Sequence, residues 1–161
     1  MNAPAPVVMQ ASAVVIAGRA LLIEGPPGSG KSALALALID RGGGLIGDDA
    51  VTLHRDAQGR LIASPPPNIA GLLEVRGVGL VRLPTAPPAP AALILTLGGA
   101  APQRLPETLR LRPIAGVDVP VLPFDPGAIA PAARAEWALA THGLACKPAS
   151  LCSVSGQDGA R

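Results

Sequence analysis

With 161 residues, 49% of them hydrophobic, and a formal net charge of +2, the chain is long enough to bury one core and too evenly charged to present a basic face. One Trp, one Phe and no Tyr leave few rings on which bases could stack, and no apolar run reaches membrane-spanning length. Neither nucleic acid nor membrane is therefore the expected partner; a protein or a small molecule is.

The opening residues, MNAPAPVVMQ, carry neither the positive n-region nor the apolar segment of an export signal, so a cytoplasmic location is expected. Val14–Ala17 and Leu21–Glu24 are short apolar runs around Gly18-Arg19. They predict a β-hairpin whose second strand leads into 25-GPPGSGKS-32. That octet fits G-x-x-x-x-G-K-[ST], and the chain's own residue frequencies would produce such a match by accident on the order of two times in a thousand. A glycine-rich turn without a ligand is thus the weaker reading. Lys31 strengthens the other one, because the chain has 11 arginines against two lysines, Lys31 and Lys147. A lysine offers a compact ammonium on a flexible stem that can follow a phosphate.

Ser32–Arg41, rich in Ala and Leu, predicts a helix that Gly42-Gly43-Gly44 ends. Strand, loop and helix then stand in the order a phosphate-binding loop needs, with backbone N–H groups and the helix N-terminus aimed at the anion. The nucleotide-binding candidates are Gly25, Pro26, Pro27, Gly28, Ser29, Gly30, Lys31 and Ser32. Gly28, Gly30 and Lys31 would meet the β- and γ-phosphates, and the Ser32 hydroxyl would meet Mg²⁺.

Phosphoryl transfer also needs a carboxylate, and Asp48-Asp49 follow the apolar pair Leu45-Ile46. On local sequence alone a solvated turn is an equal reading of that pair. If they continue a strand, only one of them faces the site. Val51–Arg55 and Leu61–Ala63 predict strands about a turn at Asp56–Gly59. The stretch 64–83 predicts a loop, a helical turn at Ile69–Leu73 and a final strand. Within it LLEVRGVG carries Glu74 and Arg76, which by themselves also read as an exposed ion pair. The segment 84-PTAPPAP-90 predicts a loop and nothing more. Ala91–Leu97 reads as a buried strand, Thr108–Arg112 and Val117–Leu122 as weaker ones, and Ala132–Thr141 as a helix around Trp137. His54 and His142 are expected at the surface, and Cys146 and Cys152 as free thiols.

Taken together, the glycine-rich loop, the glycine-ended helix with its DD pair, and LEVRGVGL at Leu73–Leu80 resemble the HPr kinase/phosphorylase family. The resemblance runs without a gap from about Gln10 to Arg82, and LEVRGVGL is its most specific part. It implies an α/β fold, a P-loop kinase domain similar to the nucleotide domain of phosphoenolpyruvate carboxykinase, in the short form that keeps only the kinase domain. Residues 1–146 would form that catalytic domain and 147–161 a disordered tail. The implied activity is ATP- and Mg²⁺-dependent phosphorylation of a serine on an HPr-like phosphocarrier, with removal of the phosphate by phosphorolysis as the family's reverse step. Residue by residue, the resemblance gives Lys31 the phosphates, Ser32, Glu74 and Asp48 the metal, and Asp49 the role of base. Arg76 would orient Glu74 or neutralise developing charge. A homo-oligomer is compatible with it.

Two positions depart from the family's pattern. Gln10 stands where the family has a histidine, and an amide can neither carry a proton nor a charge as imidazole does. The arginine-containing C-terminal loop of the longer enzymes has no clear counterpart in VPVLPFDPGAIAPAARAEWALA. Both bear on phosphorolysis more than on phosphorylation. Two other readings stand beside the kinase: an ATP-binding regulator with little transfer activity, and a small-metabolite P-loop kinase. The second lacks an evident lid with several arginines.

Overall fold

The computed structural model describes residues 3–67 and 70–145. The expected tail at 147–161 and both cysteines lie outside the described residues.

The chain opens with three strands, β1 (Val7–Met9), β2 (Ser12–Ile16) and β3 (Arg19–Glu24). The β2–β3 hairpin has Ile16 opposite Arg19, so its two loop residues are Ala17 and Gly18, one position earlier than expected. Both have positive φ (50° and 79°), as the turn that matches strand twist requires. After the glycine-rich loop, α1 spans Lys31–Asp40. Its end is fixed by Gly42, at φ 102°, whose N–H donates to the Ile39 carbonyl while the Gly43 N–H reaches the Leu38 carbonyl. Those bonds satisfy two of the carbonyls a helix leaves orphaned.

Next come β4 (Gly44–Gly47), β5 (Val51–Arg55), β6 (Leu61–Ser64), β7 (Leu72–Val75), β8 (Gly79–Arg82) and β9 (Ala89–Thr96). The predicted helical turn at Ile69–Leu73 is not what forms: Leu72 and Leu73 belong to β7, and Ile69 lies outside the described residues. Gly77 and Gly79 within LEVRGVGL favour a tight β7–β8 hairpin instead, with Gly77 at φ 80° in its turn. The proline-rich segment is also corrected, since Ala89 and Pro90 open β9 and pair with Ala63 and Ile62. Proline lacks a donor, and it is tolerated here near the first residue of a strand. The fold closes with β10 (Arg110–Ile114), β11 (Val117–Pro123) and α2 (Pro131–His142).

Nine strands share one sheet, in which β3, β9 and β11 run parallel and the other pairings are antiparallel. Alternation along these strands sorts the core onto two faces. Leu21, Ile23, Leu93 and Leu95 pack with Leu34, Ala35 and Leu38 of α1 and with Ala132, Ala135 and Leu139 of α2. Ala20, Leu22 and Ile94 point the other way, onto Val51, Leu53, Leu61 and Ala63 of β5 and β6. The sheet therefore curls over one of its own faces and lays both helices on the other. Arg41, at the end of α1, forks onto Glu136 of α2 at 2.8 and 3.0 Å. Trp137 is 73% exposed and takes no part in the core.

Candidate functional site

Glu24 ends β3, and the chain turns at once into the loop 25–32. Gly25 has no room for a side chain: a Cβ would lie 2.6 Å from Ser29 Oγ and 2.7 Å from the Leu97 carbonyl. The end of β9 thus presses on the loop from below, and the Leu97 N–H donates to the Glu24 carbonyl. Gly28 and Gly30 both have positive φ, 79° and 99°, which lets consecutive backbone groups turn to one side. Gly30 caps α1, and no side chain bonds to the first N–H groups of that helix. Lys31 Nζ folds back over the loop, donating to the carbonyls of Gly25 (2.7 Å) and Pro26 (3.3 Å). The Ser29 hydroxyl is buried in the loop without a partner.

Opposite the loop stand the two aspartates. They lie in a turn beyond β4, so strand alternation does not govern them, yet only one of the two, Asp49, lines the cleft. Asp48 turns inward and accepts the Ser32 hydroxyl at 2.9 Å. Asp49 has φ 65°, in the left-handed region where a non-glycine residue is uncommon, and its exposed side chain lines the cleft. Partial burial raises its pKa above the ordinary carboxylate value. The negative charges of Asp48 and Glu74 push the same way and Lys31 opposes them.

The β7–β8 hairpin supplies the third wall. A cleft of about 440 Å³ is bounded by Pro27, Gly28, Gly30, Lys31 and Ser32 on one side and by Asp49, Glu74 and Arg76 on the other. Among the described residues Glu74 and Arg76 do not pair with each other, so neither the exposed ion pair nor an arginine orienting Glu74 is present. Both charges are left facing the cleft. His54 and His142, expected at the surface, are half-buried, and neither lines it.

Gln10 does not line this cleft. It is exposed beside a neighbouring trough of about 610 Å³, where Glu24 and Arg112 form a forked ion pair at 2.6 and 2.8 Å. Gly25, the first residue of the loop, lines that trough and not the cleft. Sequence reasoning missed Arg112, 88 positions from Glu24 with no local signal. It also missed Ser12, a fully buried hydroxyl that donates to Asp48 at 2.7 Å.

For a divalent cation, Ser32 Oγ and the Asp48 carboxylate are hard oxygen donors already within hydrogen-bond distance of each other, which suits Mg²⁺. No three His, Cys, Asp or Glu groups among the described residues converge to hold a metal by themselves. Such an ion would need further oxygens from water or a bound phosphate, the usual way Mg²⁺ is held.

Fold and cleft define the class first: a sheet-dominated α/β protein whose glycine-rich loop joins a parallel strand to a helix N-terminus, faced by carboxylates. The sequence pattern of the HPr Serine kinase C-terminal domain matches residues 4–86, and the chain belongs to that family. It is 49% identical over 70 residues to the HPr kinase/phosphorylase of Bordetella petrii, and 46% identical over 72 residues to that of Clostridium tetani. These stretches cover 44% and 45% of this chain but only 23% of either relative, so the match spans about a quarter of their length. The solved HPr(Ser) kinase/phosphatase of Coxiella burnetii superposes with a TM-score of 0.71 at 28% identity, covering 84% of this chain and 90% of that one. Among the described residues, no helix is long and apolar enough to cross a membrane.

Proposed function

We propose that the chain is a kinase that transfers the γ-phosphoryl group of ATP to a serine of an HPr-like phosphocarrier, on a P-loop domain of the kind found in phosphoenolpyruvate carboxykinase. One observation carries the reading: Lys31, Ser32, Asp49, Glu74 and Arg76 line a single cleft, with Asp48 bonded to Ser32 at its base. The names of the relatives point the same way.

In this reading the loop N–H groups and Lys31 hold the β- and γ-phosphates. Mg²⁺, held by Ser32 and Asp48 with Glu74 nearby, would neutralise phosphate charge. Asp49 accepts the proton as the serine oxygen bonds to the γ-phosphorus and the bond to the β-phosphate oxygen breaks, releasing ADP. A serine hydroxyl is a weak nucleophile until such a base takes its proton, and a carboxylate of raised pKa is the stronger base. Arg76 lies where it can offset charge gathering on the transferred group. Cytoplasmic action on a soluble carrier fits this chemistry.

Incubation with ATP labelled at the γ-position and a panel of purified phosphocarriers tests it. Label on a serine of one carrier is expected. Label on a small metabolite instead, or tight ATP binding with no transfer to any carrier, would overturn the proposal in favour of a metabolite kinase or a regulator.

A further inference from the structure

We infer that Ser12 is a positioning residue for the cation-facing carboxylate, fixing Asp48 so that Ser32 and Asp48 hold one geometry. The inference rests on the kinase reading above and adds a residue outside the glycine-rich loop, the DD pair and the LEVRGVGL hairpin.

Ser12 is the one polar side chain among the described residues that is fully buried, in a strand whose following residues are Ala, Val, Val and Ile. A buried hydroxyl costs free energy unless it is bonded, and this one donates to Asp48 Oδ1 at 2.7 Å, the shortest contact that carboxylate makes. The backbone explains the meeting. Strand β4 pairs antiparallel with β2, Val14 opposite Leu45 and Ala13 opposite Gly47, with a register shift between. One extra residue, Ile46, is thereby inserted on β4, which is a bulge of the kind that re-aims the side chains beyond it. One step further along the pair, Ser12 falls opposite Asp48. Without the shift Asp48 would have no cross-strand donor.

The carboxylate is then held from three sides. Ser12 comes from β2, Ser32 from the first turn of α1 at 2.9 and 3.1 Å, and the Glu74 N–H from β7 at 3.4 Å. Ser32 has to offer its oxygen lone pair to a cation while its O–H keeps donating to Asp48. That dual role needs the carboxylate to stay put when the cation arrives, and Ser12 supplies the contact that does not change. Partners of this kind, bonded to a ligand and not to the metal, commonly alter metal affinity by tenfold or more when removed.

The test compares wild type, Ser12→Ala and Ser12→Thr by nucleotide binding in calorimetry across Mg²⁺ concentration, with thermal melts of the unliganded proteins as a control for folding. Ser12→Ala is expected to raise the Mg²⁺ concentration needed for half-maximal tight binding by about tenfold. Metal-free nucleotide affinity should stay as in wild type. Ser12→Thr, which keeps the hydroxyl, should restore most of the Mg²⁺ response. Equal Mg²⁺ dependence in wild type and Ser12→Ala would overturn the inference and leave the kinase reading intact. Equal loss in the Ala and Thr variants would also overturn it, since packing and not the hydroxyl would then be at fault. Absence of Mg²⁺-dependent binding in the wild type would overturn the kinase reading itself, and the inference with it.

Discussion

Asp49 sits in a conformation that asparagine and aspartate tolerate better than other side chains with a β-carbon. Asp49→Asn should therefore leave the turn intact, keep nucleotide binding, and reduce serine phosphorylation by at least about a hundredfold, the lower range for losing a general base. Initial rates beside calorimetric affinities check this, and parallel losses in both would show a structural fault. The same substitution has a signature in stability. Asp49's folded pKa is raised, so the native state binds its proton more tightly than the unfolded chain does. Its contribution is then favourable at pH below the unfolded value and is lost as pH rises through the folded one. Asp49→Asn should remove that decline and melt higher than wild type at neutral pH. Gln10 stands at the neighbouring trough and not in the cleft, so Gln10→His should not restore pyrophosphate formation from a phosphorylated carrier, and a clear gain in that rate would contradict the separation of the two.

Among the elements, β4 and its exit carry the most consequence for the cleft. A Cβ on Gly47 would lie 2.3 Å from the Ala50 carbonyl, so the turn bearing both aspartates closes only over a glycine. Gly47→Ala should displace that turn, lower stability by roughly 1–3 kcal/mol and abolish Mg²⁺-nucleotide protection in thermal melts. Retained protection would mean that the turn does not set the carboxylates. The elements that were legible in the sequence are those with strong local pattern: the first hairpin, α1 with its glycine stop, β5, β9 and α2. Those misread were decided by distant partners or by backbone detail. The β7–β8 hairpin hides in a run whose charged residues and glycines break its apolar pattern, and the start of β9 hides behind prolines that only β6 explains. The aspartate pair read equally as a turn or a strand end, because nothing local announces a left-handed residue at Asp49. Ser12 carried no signal in the sequence because its partner lies 36 positions away, across a bulge.

At the scale of the whole molecule, one sheet serves two cores and delivers three parallel strands to the same end, where Glu24 and Thr96 stand beside the glycine-rich loop. Leu95 is fully buried between β3, β11 and the helices, and Leu95→Ala should cost about 2–5 kcal/mol. Urea unfolding followed by circular dichroism checks it, and the single Trp, being exposed, should report that unfolding poorly. One cleft is expected to hold a nucleotide's phosphates, a cation and a base in separate places. A crystal structure with Mg²⁺ and a non-hydrolysable ATP analogue tests this most directly. It should place the terminal phosphate against Lys31, the cation on Ser32 and Asp48, and the Asp49 carboxylate free beside the open face of that phosphate. A cation held by Asp49, or a nucleotide bound away from the 25–32 loop, would contradict it.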